Sequence, residues 1–155
     1  MAQHRHQWPL DLLLAEDTQT DVELYRIALA RAGELRSIHV VEDGVEAIQY
    51  LQGRPPFDPH RDPQPNVVFL DLKMPRMDGF DVLNWLQKHP ECSVIPTIIF
   101  SNSWLDRDVI RAYKLGANAF FAKPAQLNDL VHLLRATFEF WARVQRPDPM
   151  VVCRE

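Results

Sequence analysis

Several features that would assign this chain to a class outright are missing from it. Its two cysteines, Cys92 and Cys153, are far apart with no CxxC spacing. Neither a zinc site nor a disulfide framework is expected, and free thiols in a reducing compartment are. A net charge of −4 and a pI near 5.8 provide no basic footprint for a phosphate backbone, which disfavours nucleic acid as a direct partner. No run reaches the roughly 18 apolar residues of a membrane span, and the stretch from Met1 to Pro9 has no apolar segment behind its Arg and His. A cytoplasmic protein without membrane contact is the expectation. Neither GxGxxG nor GxxxxGK[ST] occurs, so a nucleotide-cradling glycine loop is not expected either. No internal repeat is visible.

The chain does contain apolar residue in short runs. Its 155 residues, 46% of them hydrophobic, suit one domain, since a chain of this size buries roughly 70% of its unfolded surface. Five runs have strand length: Leu10 to Ala15, Ser37 to Val41, Val67 to Leu70, Thr97 to Phe100 and Ala119 to Ala122. Runs apolar at nearly every position indicate strands covered on both faces, as in a parallel sheet. Helical spacing lies between them, over Thr20 to Ala32 (Leu24, Ile27, Ala28, Arg31), Asp43 to Leu51 (Val45, Ile48, Leu51), Phe80 to Gln87 (Val82, Leu83, Leu86) and Asp106 to Leu115 (Val109, Ala112, Tyr113). Thr20 and Glu23 match a capping box, and Gly33 and Gly116 stand where left-handed C-caps are expected. Strict alternation of strand and helix predicts a doubly wound α/β fold, a five-stranded parallel sheet with right-handed crossovers. Prolines at 55, 56, 59, 63 and 65 predict a long surface loop over Gly53 to Pro65.

The acids lie at the ends of those strands. Glu16 and Asp17 follow the first strand and Asp71 follows the third. In a sheet ordered 2-1-3-4-5 these two strands are neighbours at the switch point, where ligands bind beyond the carboxyl ends. Considered singly, Asp17 or Asp43 would be read as a helix cap; three acids converging call for a cation. Mg²⁺ fits, because it takes one or two carboxylates and completes its shell with water and phosphate oxygens, here from a phosphorylated Asp71. Mn²⁺ or Ca²⁺ could substitute in a crystal. Ser101 at the end of the fourth strand and Lys123 after the fifth complete the ring, the hydroxyl and the ammonium each suited to a phosphoryl oxygen. A cis Lys123–Pro124 bond would aim the lysine inward.

These residues resemble a response-regulator receiver domain of two-component systems. The matching segments are LLLAEDT at 12 to 18, VVFLDLKMPRMDGF at 67 to 80, IIFSNS at 98 to 103 and GANAFFAKP at 116 to 124. The resemblance implies a flavodoxin-like (βα)5 fold in which Asp71 accepts a phosphoryl group from a histidine kinase. It further implies that Glu16 and Asp17 hold Mg²⁺, that the Lys73 main-chain carbonyl adds a ligand, and that Ser101 and Lys123 read the phosphate. Ser101 and Phe120 would be the switch, changing the surface of the fourth helix and fifth strand. Two departures stand out. Glu16 replaces the commoner Asp, so it could reach the metal through water, and Phe120 lacks a tyrosine hydroxyl. The side chains two positions beyond Asp71 and Ser101, Lys73 and Ser103, influence how easily water enters; Ser103 is small and leaves the approach fairly open, which implies a phosphoryl lifetime of minutes rather than days.

The receiver is expected over 8–145, with tails at 1–7 and 146–155. After Pro124 only one long helix is expected, about Gln126 to Val144, with no output domain, so the signal would leave by protein contact. Leu127, Leu130, Val131, Leu134, Phe138 and Trp141 form one stripe along it, and Leu133, Thr137, Phe140 and Val144 a second. Two stripes suggest two buried faces. One face should pack on the sheet and the other could pair with a second subunit through the surface of helix 4, strand 5 and helix 5, a homodimer whose candidate contacts are Phe138, Phe140 and Trp141. The proline loop and the FEFW run at 138 to 141 resemble the small response regulators that partner bacterial phytochromes. Enzymatic action would be confined to the domain's own phosphorylation and dephosphorylation. Two alternatives are a phosphohydrolase of haloacid dehalogenase type, disfavoured because Lys73 stands where that family needs an acid, and a receiver-like module that binds without phosphorylation.

Overall fold

The structure is a computed structural model describing residues 10–33, 35–145 and 153. The expected tails at 1–7 and 146–155 lie outside the described residues, Cys153 excepted. In chain order the elements are β1 (Leu10–Ala15), α1 (Gln19–Ala32), β2 (Leu35–Val41), α2 (Gly44–Gln52), β3 (Val67–Leu70), α3 (Gly79–Gln87), α4 (Pro90–Ser93), β4 (Thr97–Ser101), α5 (Asp106–Lys114), β5 (Ala119–Ala122) and α6 (Leu127–Arg143). The short α4 was not expected; Pro90 at its first turn supplies a φ already suited to a helix. The helix counted fourth from sequence is therefore α5, and the last is α6.

The five strands form one parallel sheet in the order β2-β1-β3-β4-β5. Alternation along each strand divides the core in two. Leu13, Ala15, Val68, Leu70 and Ile99 face a layer built with Leu51, Leu83, Leu86 and Ile95. Leu12, Leu14, Val67, Phe69, Ile98 and Phe100 face α1 and α6. In that second layer Phe69 stacks on Phe138 with ring centroids 5.9 Å apart, and Tyr25 meets Phe100 edge-on at 5.7 Å. The sheet is thus apolar on both sides, the physical origin of the unbroken hydrophobic runs.

Several local expectations are corrected. The buried face of α1 is Val22, Tyr25, Ala28 and Leu29, while Ile27 is 48% exposed. Its N-cap is Thr18, with no side-chain cap bond, so Thr20 and Glu23 form no capping box; among the described residues a capping box forms instead between Asp78 and Asp81 at α3. In α2 the buried residues are Ala47, Tyr50 and Leu51 rather than Val45 and Ile48. Gly33 and Gly116 both take positive φ, at 75° and 97°. The Lys123–Pro124 bond is not cis; among the described residues the cis bond is Pro55–Pro56.

The segment between α2 and β3 has neither helix nor strand, but its end is not on the surface. Gln64, Pro65 and Asn66 are buried, and Asn66 Oδ1 accepts from the Asp11 N–H at 2.9 Å. The free-thiol expectation also fails. Cys92 on α4 is joined to Cys153 by a disulfide that draws residue 153 into the core layer beside Leu51. Cysteine usage therefore gives no support to a reducing compartment.

Candidate functional site at the carboxyl ends of β1, β3 and β5

The register of β1 against β3 pairs Ala15 with Leu70, and the ladder continues with the Asp71 N–H donating to the Ala15 carbonyl at 3.1 Å. The next residues, Glu16 and Asp71, therefore emerge side by side. Carboxylate oxygens of Glu16, Asp17 and Asp71 lie within 4.8 Å of one another. Glu16 and Asp71 are buried and Asp17 is exposed, so the cluster opens to solvent on one side. Asp71 Oδ1 accepts from the Lys73 N–H at 3.3 Å.

Lys123 reaches this cluster from the end of β5. Its own N–H donates to the Ser101 carbonyl at 2.9 Å, which extends the β4–β5 ladder and aims the side chain across the strand ends without a cis bond. The ammonium donates to Glu16 Oε2 at 2.7 Å, Asp71 Oδ2 at 2.8 Å and Asp21 Oδ2 at 2.9 Å. Burial alone would favour the neutral amine, but these three bonds override it and raise the Lys123 pKa above its ordinary value. Glu16 is pushed up to about 7, chiefly by burial, with Lys123 opposing and Asp71 reinforcing the rise. Tyr25, buried behind the acids, is raised by the same desolvation and by their charge.

The remaining expected residues frame the cluster. Ser101 is buried, and its Oγ accepts from the Ser103 N–H at 3.0 Å. The Ser103 hydroxyl in turn donates to Asp108 at 3.0 Å. Phe120 is half-buried against the core, and its N–H donates to the Tyr113 hydroxyl at 3.1 Å. Beside the acids lies a cleft of about 600 Å³ whose lining includes Asp17, Lys73, Met74, Ser103 and Arg111. The Arg111 guanidinium sits 4.1 Å from the Phe80 ring centroid.

Two glycines hold the loop after Asp71 in place. A Cβ on Gly79 would come 2.4 Å from the Asp71 carbonyl oxygen, and one on Gly44 would come 2.6 Å from that of Met77. The Gly79 N–H donates to Leu72 and the Gly44 N–H to Met77, so close approach and hydrogen bonding work together. Asp43 caps α2 through the Glu46 N–H and also accepts from Arg76 at 2.7 Å, a structural acid rather than a member of the cluster.

Asp21 was missed from sequence. It lies four residues after Asp17, in the first turn of α1, so helical spacing was the one available signal. Phe138 is buried in the core and Trp141 is half-buried, whereas Phe140 is 61% exposed. Of the candidate dimer contacts, only Phe140 is largely exposed, with its ring edge-on to Trp141 at 5.1 Å.

The profile of the response regulator receiver domain family matches residues 12–135. The response regulator Rcp1 of Synechocystis sp. is 30% identical over 133 residues, covering 86% of this chain and 89% of that protein. Its Mn²⁺-bound form superposes with a TM-score of 0.78 at 29% identity, over 90% of this chain and all of that one. The phosphorylated cyanobacterial phytochrome response regulator RcpA gives 0.81 at 29% identity, over 91% of this chain and all of that one. A response regulator in red light signaling of R. palustris gives 0.83 at 32% identity, over 90% of this chain and 99% of that one.

Proposed function

Because the chain belongs to the response regulator receiver domain family, we propose that it takes a phosphoryl group from a histidine kinase onto Asp71 and signals by protein contact. The observation that carries this reading is the meeting of Asp71 with Glu16, Asp17 and the Lys123 ammonium at adjoining strand ends. An Asp71 carboxylate oxygen attacks the phosphorus of a phosphohistidine. The P–N bond breaks, its electron pair stays on the imidazole nitrogen, and that nitrogen takes a proton from water. Lys123 supports the charge on the transferring oxygens, and the Ser101 hydroxyl, whose oxygen accepts from the Ser103 N–H, donates its proton to one of them. Hydrolysis returns the carboxylate when water attacks the phosphorus and the acyl P–O bond breaks. The domain works on its own modification and turns over no external substrate.

Glu16, Asp17 and Asp71, with the Lys73 main-chain carbonyl, would hold Mg²⁺. Closely set hard oxygens, one of them solvent-facing, suit such an ion, which when bound offsets negative charge on the phosphoryl group. Ser101 and Phe120 are the proposed switch pair, and the small Ser103 leaves water an approach that suits a phosphoryl lifetime of minutes. The receiver is taken as 8–145, in the cytoplasm.

A phytochrome-type histidine kinase is the proposed donor, supported by the likeness to RcpA and to the red-light regulator of R. palustris. A homodimer through the surface of α5, β5 and α6 is supported by exposed Ile110 and Tyr113 on α5 and Phe140 on α6; a monomer by sedimentation at tens of micromolar, with and without a phosphoryl mimic, removes that part. Transfer from a labelled, autophosphorylated histidine kinase tests the rest. Label is expected on the unaltered protein and not on Asp71→Asn. Equal labelling of both, or steady release of phosphate from a simple phosphoester, overturns the reading.

A further inference from the structure

The acids around Asp71 fall into two overlapping sets of three. Glu16, Asp17 and Asp71 share one small volume. Glu16, Asp21 and Asp71 share the Lys123 ammonium, at 2.7, 2.9 and 2.8 Å. An ammonium has three protons, and all three are committed. Asp21 alone among the lysine's partners lies outside the first set. It is also the most exposed of the three, with 30% of its side chain accessible against 1% for Glu16 and 9% for Asp71. It stands in the first turn of α1, where the helix dipole attracts a carboxylate.

We infer that Asp21 is a positioning residue that holds the Lys123 ammonium over the site while its other two partners change theirs. A phosphoryl group on Asp71 takes away one of the lysine's acceptors, and a cation drawn to Glu16 competes for another. Asp21 takes part in neither event. Without it, Lys123 keeps no fixed acceptor during transfer, and a long flexible side chain loses its aim. Asp21 thus acts through Lys123 and touches no reacting atom. The consequence for transfer rests on the phosphoacceptor reading of Asp71, while the consequence for the lysine does not.

Two measurements on the full chain separate these. In the absence of phosphodonor and divalent cations, the Lys123 ammonium should give a slowly exchanging proton signal by NMR in the unaltered protein. That exchange should quicken in Asp21→Asn and slow again in Asp21→Glu. With acetyl phosphate and saturating Mg²⁺, Asp21→Asn should be phosphorylated about tenfold more slowly, the cost of one charge-assisted hydrogen bond. The loss should vanish when Lys123 is already Ala, because the two substitutions then remove the same interaction. Unchanged exchange in Asp21→Asn, or a rate loss that persists in the Lys123→Ala background, overturns the inference. Failure of the unaltered protein to take any phosphoryl group overturns the phosphoacceptor reading instead, and the exchange measurement still decides the role of Asp21.

Discussion

Glu16 combines a carboxyl group with near-complete burial, and its pKa is pushed from an ordinary 4.5 up to about 7. Between those values the folded chain keeps a proton that the unfolded chain gives up. The stabilising contribution is therefore fully present below about 4.5 and is lost as the pH rises through about 7. Urea denaturation without divalent cations checks this: the stability of the unaltered protein relative to Glu16→Gln should fall across that window. A constant difference would contradict it. Gly79 is the second sensitive residue, since a Cβ there meets the Asp71 carbonyl oxygen at 2.4 Å and the backbone has no flexible end to yield. Gly79→Ala should cost about 1–3 kcal/mol of stability by overpacking and should slow phosphorylation by displacing Asp71, read by denaturation and by acetyl phosphate uptake.

At the scale of elements, α6 gives the sharpest contrast between its two stripes. Leu134 is fully buried and Phe140 is 61% exposed. Leu134→Ala should destabilise by about 2–5 kcal/mol, and Phe140→Ala by no more than about 0.5 kcal/mol, both measured on the monomer by denaturation. The strands were legible because helices cover both sides of the sheet, leaving Val67–Leu70 and Thr97–Ser101 buried at every position. The face of α1 was not, because Tyr25 buries its ring against Phe100 while the more apolar Ile27 faces solvent. Hydrophobicity alone sets that phase wrongly. The start of α1 was misplaced for a related reason: Glu16 accepts from the Thr18 N–H at 3.2 Å, so the functional cluster and not a Thr20 cap governs entry to the helix.

Across the whole molecule, long-range partners were the hardest to anticipate. Strand-end acids could be placed because the switch point of a doubly wound sheet gathers them. Asp21 could not, since its partner Lys123 is 102 residues away. The Cys92–Cys153 disulfide, closing 61 residues, escaped for the same reason. A loop of that length should contribute about 4 kcal/mol. Cys153→Ser, or reduction, should lower the denaturation midpoint accordingly while leaving phosphorylation of Asp71 intact, because the cysteines pack against Leu51 and away from the acids. An unchanged midpoint would show that the bond adds nothing to stability.

All of the chemistry proposed converges on Asp71. Intact-mass analysis after incubation with acetyl phosphate and Mg²⁺ tests it most directly. One added phosphoryl group is expected, decaying within minutes and absent in Asp71→Asn. An adduct that persists in Asp71→Asn, or steady phosphate release with no adduct, would contradict it.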